Sequence, residues 1–117
     1  MRDFKKLIVW QRSHQLTLKI YGVTSKFPRE ELFGLVSQMR RSCSSIPTNI
    51  AEGCGRETLP DLQRFLTIAR GSASELEYQI LLSKDLKYID DEQFQFFDKE
   101  INEIRRMIHG FASKVEG

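Results

Sequence analysis

The stretch that decides the fold is Ser37–Arg56, with the sequence SQMRRSCSSIPTNIAEGCGR. Its apolar residues recur at the spacing of one face of an α-helix, and this phase continues past Pro47. A proline inside a helix removes a backbone hydrogen bond and usually bends the helix, at a cost of about 3 kcal/mol. We therefore predict one kinked helix that ends at Gly53 or Gly55, the candidate C-terminal caps.

Three polar residues, Asn49, Glu52 and Arg56, follow the proline at helical spacing and share one side of the helix. Asn49 is adjacent to the apolar Ile50, so we expect it to be partly buried and to need hydrogen-bond partners. Glu52 is expected to pair with an arginine, and Arg56 is one candidate. These residues form either a recognition site or a polar clamp that fixes the kink and the next turn, and the pattern favours the clamp.

A first helix is predicted before this segment, from about Lys6 to Lys26. Phe27 ends it, because a residue that precedes proline is pushed out of the α region. Pro28 or Arg29 then opens the second helix. The apolar stripe of the first helix contains Val9, Ser13, Leu16, Ile20, Val23 and Phe27, and that of the second contains Leu32, Val36, Met39, Cys43, Ile46, Ile50 and Gly53.

Two further helices are predicted after the glycines. Thr58 caps the third helix with Asp61 three residues later, and Asp90 caps the fourth with Gln93 in the same relative position. Both helices carry apolar residues at alternating three- and four-residue spacing. The stripes are Leu62, Leu66, Ala69, Ala73, Leu76 and Ile80 in the third helix, and Phe94, Phe97, Ile101, Ile104, Ile108, Phe111 and Val115 in the fourth.

These patterns predict an all-α fold, an antiparallel up-down-up-down four-helix bundle with a Pro-kinked second helix. Short connections of about three to five residues make neighbouring helices pack antiparallel. The 117 residues are enough for a single domain, 1–117, with its own core.

A patch of small residues interrupts the third helix at Gly71-Ser72-Ala73-Ser74. A glycine in a helix interior costs about 1 kcal/mol relative to alanine. Close approach by another helix is the favoured compensation, and a flexible joint is the alternative.

The first and third helices carry a second apolar stripe beside the first. Its candidate residues are Trp10, Tyr21, Phe65 and Ile68. Exposed apolar patches usually mark an interface, so we expect these residues to contact other copies of the chain in a homo-oligomer. The alternative is a broad stripe that faces the core of its own bundle.

Basic residues slightly outnumber acidic residues, which gives the chain a net charge of +2. Between Lys26 and Lys84 every cation is an arginine, the residue suited to bidentate contact with phosphate or carboxylate. These arginines bind either nucleic acid or the carboxylates of the same assembly. The candidate nucleic-acid-binding residues are Arg12, Lys19, Arg40, Arg41, Arg56, Arg64 and Arg70.

Signatures of catalysis and of metal binding are weak. Cys43 and Cys54 lack zinc-ligand spacing, and Cys43 lies on an apolar stripe, where we expect a small buried residue. His14 and His109 have no metal-ligand partners at helical spacing. We therefore expect no enzyme activity, cofactor, metal or small-molecule substrate. The sequence has no apolar run that could span a membrane, and two free thiols suggest the cytoplasm.

Several segments together resemble a known family. They are FKKLIVWQRSHQLTLKIYGVTSKFP (4–28), EELFGLVSQMRRSCSSIPTNIAEGCGR (30–56) and LQRFLTIARGSASELEYQI (62–80). The combination of SIPTNIAEG, GR and GSASELE is similar to the four-helix-bundle family of 23S rRNA intervening-sequence proteins, also labelled S23 ribosomal protein. The resemblance covers about Phe4 to Ile89. In this chain the first motif contains Pro47, Asn49, Glu52, Gly53 and Arg56, and the second Gly71, Ser72, Glu75 and Glu77.

The resemblance implies a four-helix bundle that assembles into barrel-like homopentamers, and it implies no catalytic residues. A related branch resembles the accessory variability determinant of diversity-generating retroelements, which binds a reverse transcriptase and nucleic acid. We therefore expect a non-enzymatic homo-oligomer that binds structured nucleic acid or a nucleoprotein partner through basic residues of the first three helices. The alternative function is a protein–protein scaffold with no nucleic-acid role.

Overall fold

The computed structural model describes residues 2–116, which form four α-helices and two short 3-10 turns. The helices are α1 (Ile8–Thr24), α2 (Leu35–Cys54), α3 (Leu59–Asp85) and α4 (Asp91–Glu116). The turns are Phe4–Lys6, before α1, and Arg29–Glu31, between α1 and α2. Within residues 2–116, no helix is long and apolar enough to cross a membrane.

Each helix packs antiparallel against the next, and α4 also packs against α1, so that the four helices surround one core. The direction is clear because low residue numbers of one helix contact high numbers of its neighbour. The pairs that show this are Tyr21 with Arg40, Met39 with Ser83, Gln63 with Ala112, and Lys19 with Phe96. The predicted antiparallel four-helix bundle is confirmed.

The core is built from the predicted stripes. Leu16, Ile50, Leu76 and Ile104 are at most 1% exposed and represent the four helices at its centre. Cys43 is fully buried among them, as expected. Thr58 and Asp90 also cap α3 and α4, because their side-chain oxygens accept from the backbone N–H of the residue three positions later.

The connection between α1 and α2 is longer than predicted and occupies residues 25–34. The second helix begins at Leu35 and not at Pro28 or Arg29, since Pro28 is extended and Gly34 has a non-helical backbone. Glu31 completes the start of α2, because its carboxylate accepts from the Leu35 backbone N–H at 3.3 Å. Leu32, assigned to the stripe of the second helix, therefore lies in a turn, where 47% of its surface is exposed.

Helix α2 is continuous through Pro47, and the bend expected there stays a prediction. Because proline has no N–H, it cannot pair with the carbonyl oxygen of Cys43, four residues earlier. The hydroxyl oxygen of Thr17 in α1 lies 3.5 Å from that carbonyl oxygen and 3.6 Å from the Cys43 sulfur. A polar group of α1 thus lies beside the carbonyl that the proline leaves without its helical partner.

Of the two glycines predicted as candidate C-caps of α2, only Gly55 has that role. Gly55 is the C-cap of α2, whereas Gly53 is an interior helical residue buried against α3. A Cβ at Gly53 would lie 3.0 Å from Leu62 Cδ1 and 3.0 Å from Phe65 Cβ. A Cβ at Gly71 would meet nothing within 4 Å, so the favoured interpretation of Gly71, close approach by another helix, is wrong within this chain.

Candidate nucleic-acid interface

A polar groove of about 650 Å³ runs between α2 and α3. We call it the α2/α3 groove, and its lining residues are Gln38, Arg41, Ser42, Ser45, Ser72 and Glu75. The two helices are close enough here for their hydroxyls to hydrogen-bond, because serines occupy the positions that face each other. Arg41 was predicted as a binding residue, and Ser72 and Glu75 belong to the second sequence motif. Gln38, Ser42 and Ser45 were not predicted as site residues, although polar side chains at helical spacing were the available signal.

Asn49, Ser45 and Ser72 form a hydrogen-bond network between α2 and α3 at the groove. The Asn49 amide donates to the Ser45 carbonyl oxygen at 2.7 Å and to the Ser45 hydroxyl at 2.9 Å. The Ser45 hydroxyl also accepts from the Ser72 hydroxyl of α3 at 2.8 Å. Asn49 is half-buried and has the partners a buried amide needs, so it links the centre of α2 to α3.

A second, deeper interaction lies at the other end of the groove. Ser42 and Gln79 are each 4% exposed, and the Ser42 hydroxyl donates to the Gln79 amide oxygen at 2.6 Å. The Gln79 amide nitrogen donates to the Glu75 carboxylate at 3.4 Å. The buried Gln79 thus links Ser42 of α2 to the Glu75 carboxylate of α3.

Arg41 extends from the α2 side of this groove and is exposed. Among residues 2–116 it forms no ion pair, although Glu75 lines the same groove. Its guanidinium therefore keeps its donors for an external acceptor, and the neighbouring Gln38 amide adds another exposed donor. Phosphate oxygens are acceptors that such donors bind.

Two further arginines meet on one aromatic ring where α2 passes into α3. The guanidinium carbons of Arg56 and Arg64 lie 4.9 Å and 4.5 Å from the centre of the Phe65 ring. Arg56 also pairs with Glu52 at 3.1 Å, one of the partners predicted for Glu52, and Arg64 lies 3.8 Å from Asp61. These pairs are exposed, so they constrain the arginines weakly and leave donors facing solvent.

Arg12 has a different environment, because two carboxylates of α4 hold it. Its guanidinium donates to Glu100 at 2.5 Å and to Glu103 at 2.9 Å. These hydrogen bonds raise the pKa of Arg12 and hold the pKa of Glu103 below its usual range. Arg12 therefore acts as a clamp between α1 and α4, the intramolecular alternative considered for the arginines.

Arg40 and Lys19 are also engaged within the chain. Arg40 donates to the Thr24 hydroxyl at 3.0 Å and to the Tyr21 carbonyl oxygen at 3.2 Å, which satisfies the end of α1. The Lys19 ammonium lies 4.6 Å from the centre of the Phe96 ring of α4. Lys19 is exposed and its ring contact leaves the charge accessible to solvent.

Arg70 is exposed but lies on another side of α3. It precedes Glu77 by seven residues, or two helical turns, and Glu77 pairs with Arg105 of α4 at 2.6 Å. The seven predicted basic residues therefore do not form one patch. Arg41, Arg56 and Arg64 share the face around the α2/α3 groove, which we call the α2/α3 face.

The four candidate interface residues fall on two sides of α2. Trp10 and Tyr21 lie toward α2 from α1, and Phe65 lies toward it from α3. Ile68 is on the same side of α3, because it is three residues from Phe65 and four from Ser72, which contacts α2. Tyr21 and Ile68 are 45% and 42% exposed, and Trp10 is half-buried. Phe65 is only 9% exposed, because Gly53 and the two arginines cover it, so it adds little to an exposed apolar patch.

Both cysteines are buried and free. Burial raises the pKa of Cys43 to about 11 and also raises the pKa of Cys54. The part of the chain that the structure describes holds no group of three His, Cys, Asp or Glu residues arranged to bind a metal ion.

The geometry defines an all-α bundle of four antiparallel helices with an arginine-bearing polar groove. The family model described as 23S rRNA-intervening sequence protein matches residues 5–110, and the chain belongs to that family. Among solved structures, the bundle is similar to a crystal structure from Bacteroides thetaiotaomicron VPI-5482, a protein with unknown function from the S23 ribosomal protein family. The two share 26% identity and a TM-score of 0.81 over 90% of this chain and 98% of the other. No curated protein matches the sequence.

Proposed function

We propose that this protein is a non-enzymatic homo-oligomeric bundle that binds structured RNA, free or within a nucleoprotein, through basic side chains of α1 to α3. The family description associates such proteins with the intervening sequence of 23S rRNA, which supports RNA as the nucleic acid. Phosphate contacts supply most of the affinity of proteins that bind structured nucleic acid without reading many bases.

The observation that carries the proposal is the environment of Arg41. It is an exposed arginine without an ion pair among the described residues, on a groove lined by hydroxyl and amide groups. Arg56, just past the end of α2, lies about 20 Å away at a rise of about 1.5 Å per residue, and Arg64 meets it on the Phe65 ring. A phosphate backbone that follows the α2/α3 face would meet arginines at both ends and hydrogen-bonding groups between them.

Assembly supplies the charge that one copy lacks. A net charge of +2 per chain attracts a polyanion weakly, but several copies in a ring repeat the α2/α3 face and add their fields. A pentamer is the assembly we favour, on the resemblance described above. Arg12 takes no part in RNA binding in this proposal, since it is bound to α4.

Charge reversal at Arg41 tests the proposal. Arg41→Glu should weaken binding of a labelled stem-loop RNA at low salt, and it should reduce the slope of log affinity against log salt by about 0.9 for each phosphate that the variant no longer neutralises. Arg106→Glu is the matched control, because Arg106 is an exposed arginine of α4 and the charge change is the same. Equal reductions of affinity in the two variants would show a general charge effect and would contradict a specific α2/α3 face.

A protein–protein scaffold is the second candidate, and one exposed turn favours it. Phe33 is 93% exposed and Leu32 is 47% exposed, both in the connection before α2. An apolar pair at the end of a bundle suits contact with another protein. In that case Arg41→Glu leaves partner binding and oligomer mass unchanged, whereas Phe33→Ser abolishes partner binding.

A further inference from the structure

A second groove lies on the other side of α2, between α2 and α1. Its volume is about 630 Å³, and its walls include Phe4, Trp10 and His14 on one side and Ser44, Thr48 and Glu52 on the other. We call it the α1/α2 groove. The outward-facing residues of the segment around Pro47 line it, and the phosphate contacts proposed above leave these residues without a role.

One wall of the groove is aromatic. The Trp10 and His14 rings are stacked, with centres 5.1 Å apart and planes 8° from parallel, and the Phe4 ring meets Trp10 edge-on at 4.9 Å. All three side chains are half-buried, so each keeps part of its surface open to the groove. Rings held in this way form a surface on which a nucleobase can stack, whatever its sequence.

One cation lies at the edge of the groove, because the exposed Lys5 is beside the Phe4 ring. Arg2 and Lys6 instead face α4: the Arg2 guanidinium lies 6.0 Å from the centre of the Phe111 ring, and Lys6 lines a pocket with that ring. The segment of residues 2–6 is fixed beside the end of α2, because the Arg2 backbone N–H donates to the Cys54 carbonyl oxygen at 3.1 Å. The Lys5 ammonium lies 5.9 Å from the centre of the Phe4 ring.

The single acidic group of the groove wall does not oppose an anion strongly. The Glu52 carboxylate pairs with the Arg56 guanidinium at 3.1 Å, which offsets its charge. The Ser44 and Thr48 hydroxyls can each donate to or accept from the edge of a base. The groove therefore combines a stacking surface, hydrogen-bonding groups and a lysine at its edge, the kinds of group that bind single-stranded nucleic acids.

We propose that the α1/α2 groove binds an unpaired base of the RNA whose phosphates contact the α2/α3 face, so this inference rests on the proposed function. The base stacks against the Trp10–His14 pair, and Lys5 binds the adjoining phosphate. Because the two grooves flank α2, one RNA that crosses this helix reaches both. The protein would then distinguish RNA with an unpaired loop from a continuous duplex.

Trp10 provides a direct test, because it is the only tryptophan in the chain. A stem-loop RNA should change Trp10 emission at saturation, and a duplex of the same stem should bind more weakly and leave the emission unchanged. His14→Ala should weaken stem-loop binding by roughly fivefold or more, the effect of removing one stacking partner of a base. The matched control is His109→Ala, an exposed histidine of α4, which should bind as the parent does.

Thr48→Val serves as a second variant in case His14→Ala perturbs folding, because Thr48 is exposed and the two side chains have the same shape. It should weaken stem-loop binding without changing thermal stability.

Salt-dependent RNA binding with unchanged Trp10 emission and no preference for the loop would overturn the inference and leave the proposed function intact. Absence of RNA binding at about 50 mM salt would overturn both. Emission that changes with protein concentration and not with RNA would place a second copy of the chain in the groove, and would also overturn the inference.

Discussion

Gly53 lets α2 and α3 approach each other more closely than a residue with a side chain would allow. The neighbours of its missing Cβ are Leu62 and Phe65, and the backbone oxygen of Leu62 lies 3.4 Å from the same point. Gly71 is the opposite case, an exposed helical glycine with open space around it. The sequence shows two glycines in two helices, and only the positions of neighbouring helices distinguish them.

Alanine substitutions at these two glycines should therefore have opposite effects on the free energy of unfolding. Gly71→Ala should stabilise the protein by about 1 kcal/mol, since alanine is the better helix former and meets no neighbour. Gly53→Ala gains the same propensity but crowds α3, and overpacking typically costs about 1–3 kcal/mol. Urea denaturation measures both, and a Gly53→Ala variant as stable as Gly71→Ala would contradict the close packing.

The arginines also show what a sequence can and cannot predict at the residue scale. The Glu52–Arg56 pair is four residues apart and is a candidate from helical spacing alone. The partners of Arg12 are 88 and 91 residues away, in α4, so no local pattern indicates them. Arg56 and Arg64 both pack on the Phe65 ring, and this contact likewise depends on how α2 and α3 meet.

At the scale of elements, the stripes predicted the helices well because burial repeats at every turn. The ends of the helices were harder to predict from the sequence, since each end depends on a few specific groups. The start of α2 is set by the backbone of Gly34 and by the Glu31 carboxylate, and Glu31 is held in turn by the Tyr88 hydroxyl at 2.8 Å. This last hydrogen bond joins the two connections at one end of the bundle and could not be inferred from either alone.

Helix α4 is attached to both neighbours by ion pairs, which makes the bundle sensitive to acid. Hydrogen bonds from Arg105 and Arg12 hold the pKa values of Glu77 and Glu103 below the usual range. A carboxylate whose pKa is lowered by folding stabilises the folded state above its unfolded pKa of about 4.3, and this stabilisation disappears as the pH falls through the lower folded value. The melting temperature should therefore decline below about pH 4.

Glu77→Gln should make this decline shallower, because the amide does not titrate. Glu57→Gln is the matched control, an exposed glutamate in the connection between α2 and α3 that forms no ion pair among residues 2–116. Melting curves recorded from neutral to acid pH make the comparison. The same acid slope in Glu77→Gln and in the parent would show that the α3–α4 pair does not contribute.

At the scale of the whole molecule, the surface suggests association with further copies on two sides of α2. Tyr21 and Ile68 are exposed on these two sides, whereas Phe65 is covered within its own chain. Two different faces per copy suit a ring, in which each copy meets its neighbours through unlike surfaces. The expected homo-oligomer therefore depends on Tyr21 and Ile68, whereas Trp10, the other candidate, lines the α1/α2 groove.

Light scattering at micromolar concentration should give the mass of several chains, with a pentamer favoured. Ile68→Glu should reduce this mass, because it places a charge in the proposed interface. Leu81→Glu is a matched control on the same helix, since both side chains are 42% exposed. A monomeric parent protein, or an equal reduction of mass in the two variants, would contradict this interface.

The central claim is that the assembled bundle binds RNA through phosphate contacts on the α2/α3 face. The most direct test is the affinity of the unmodified protein for a stem-loop RNA, measured by fluorescence anisotropy from about 50 to 200 mM salt. If Arg41, Arg56 and Arg64 bind phosphates, we predict binding at the lowest salt and a decrease in affinity of at least about tenfold across the series. No binding at the lowest salt, or an affinity that does not change with salt, would contradict the account.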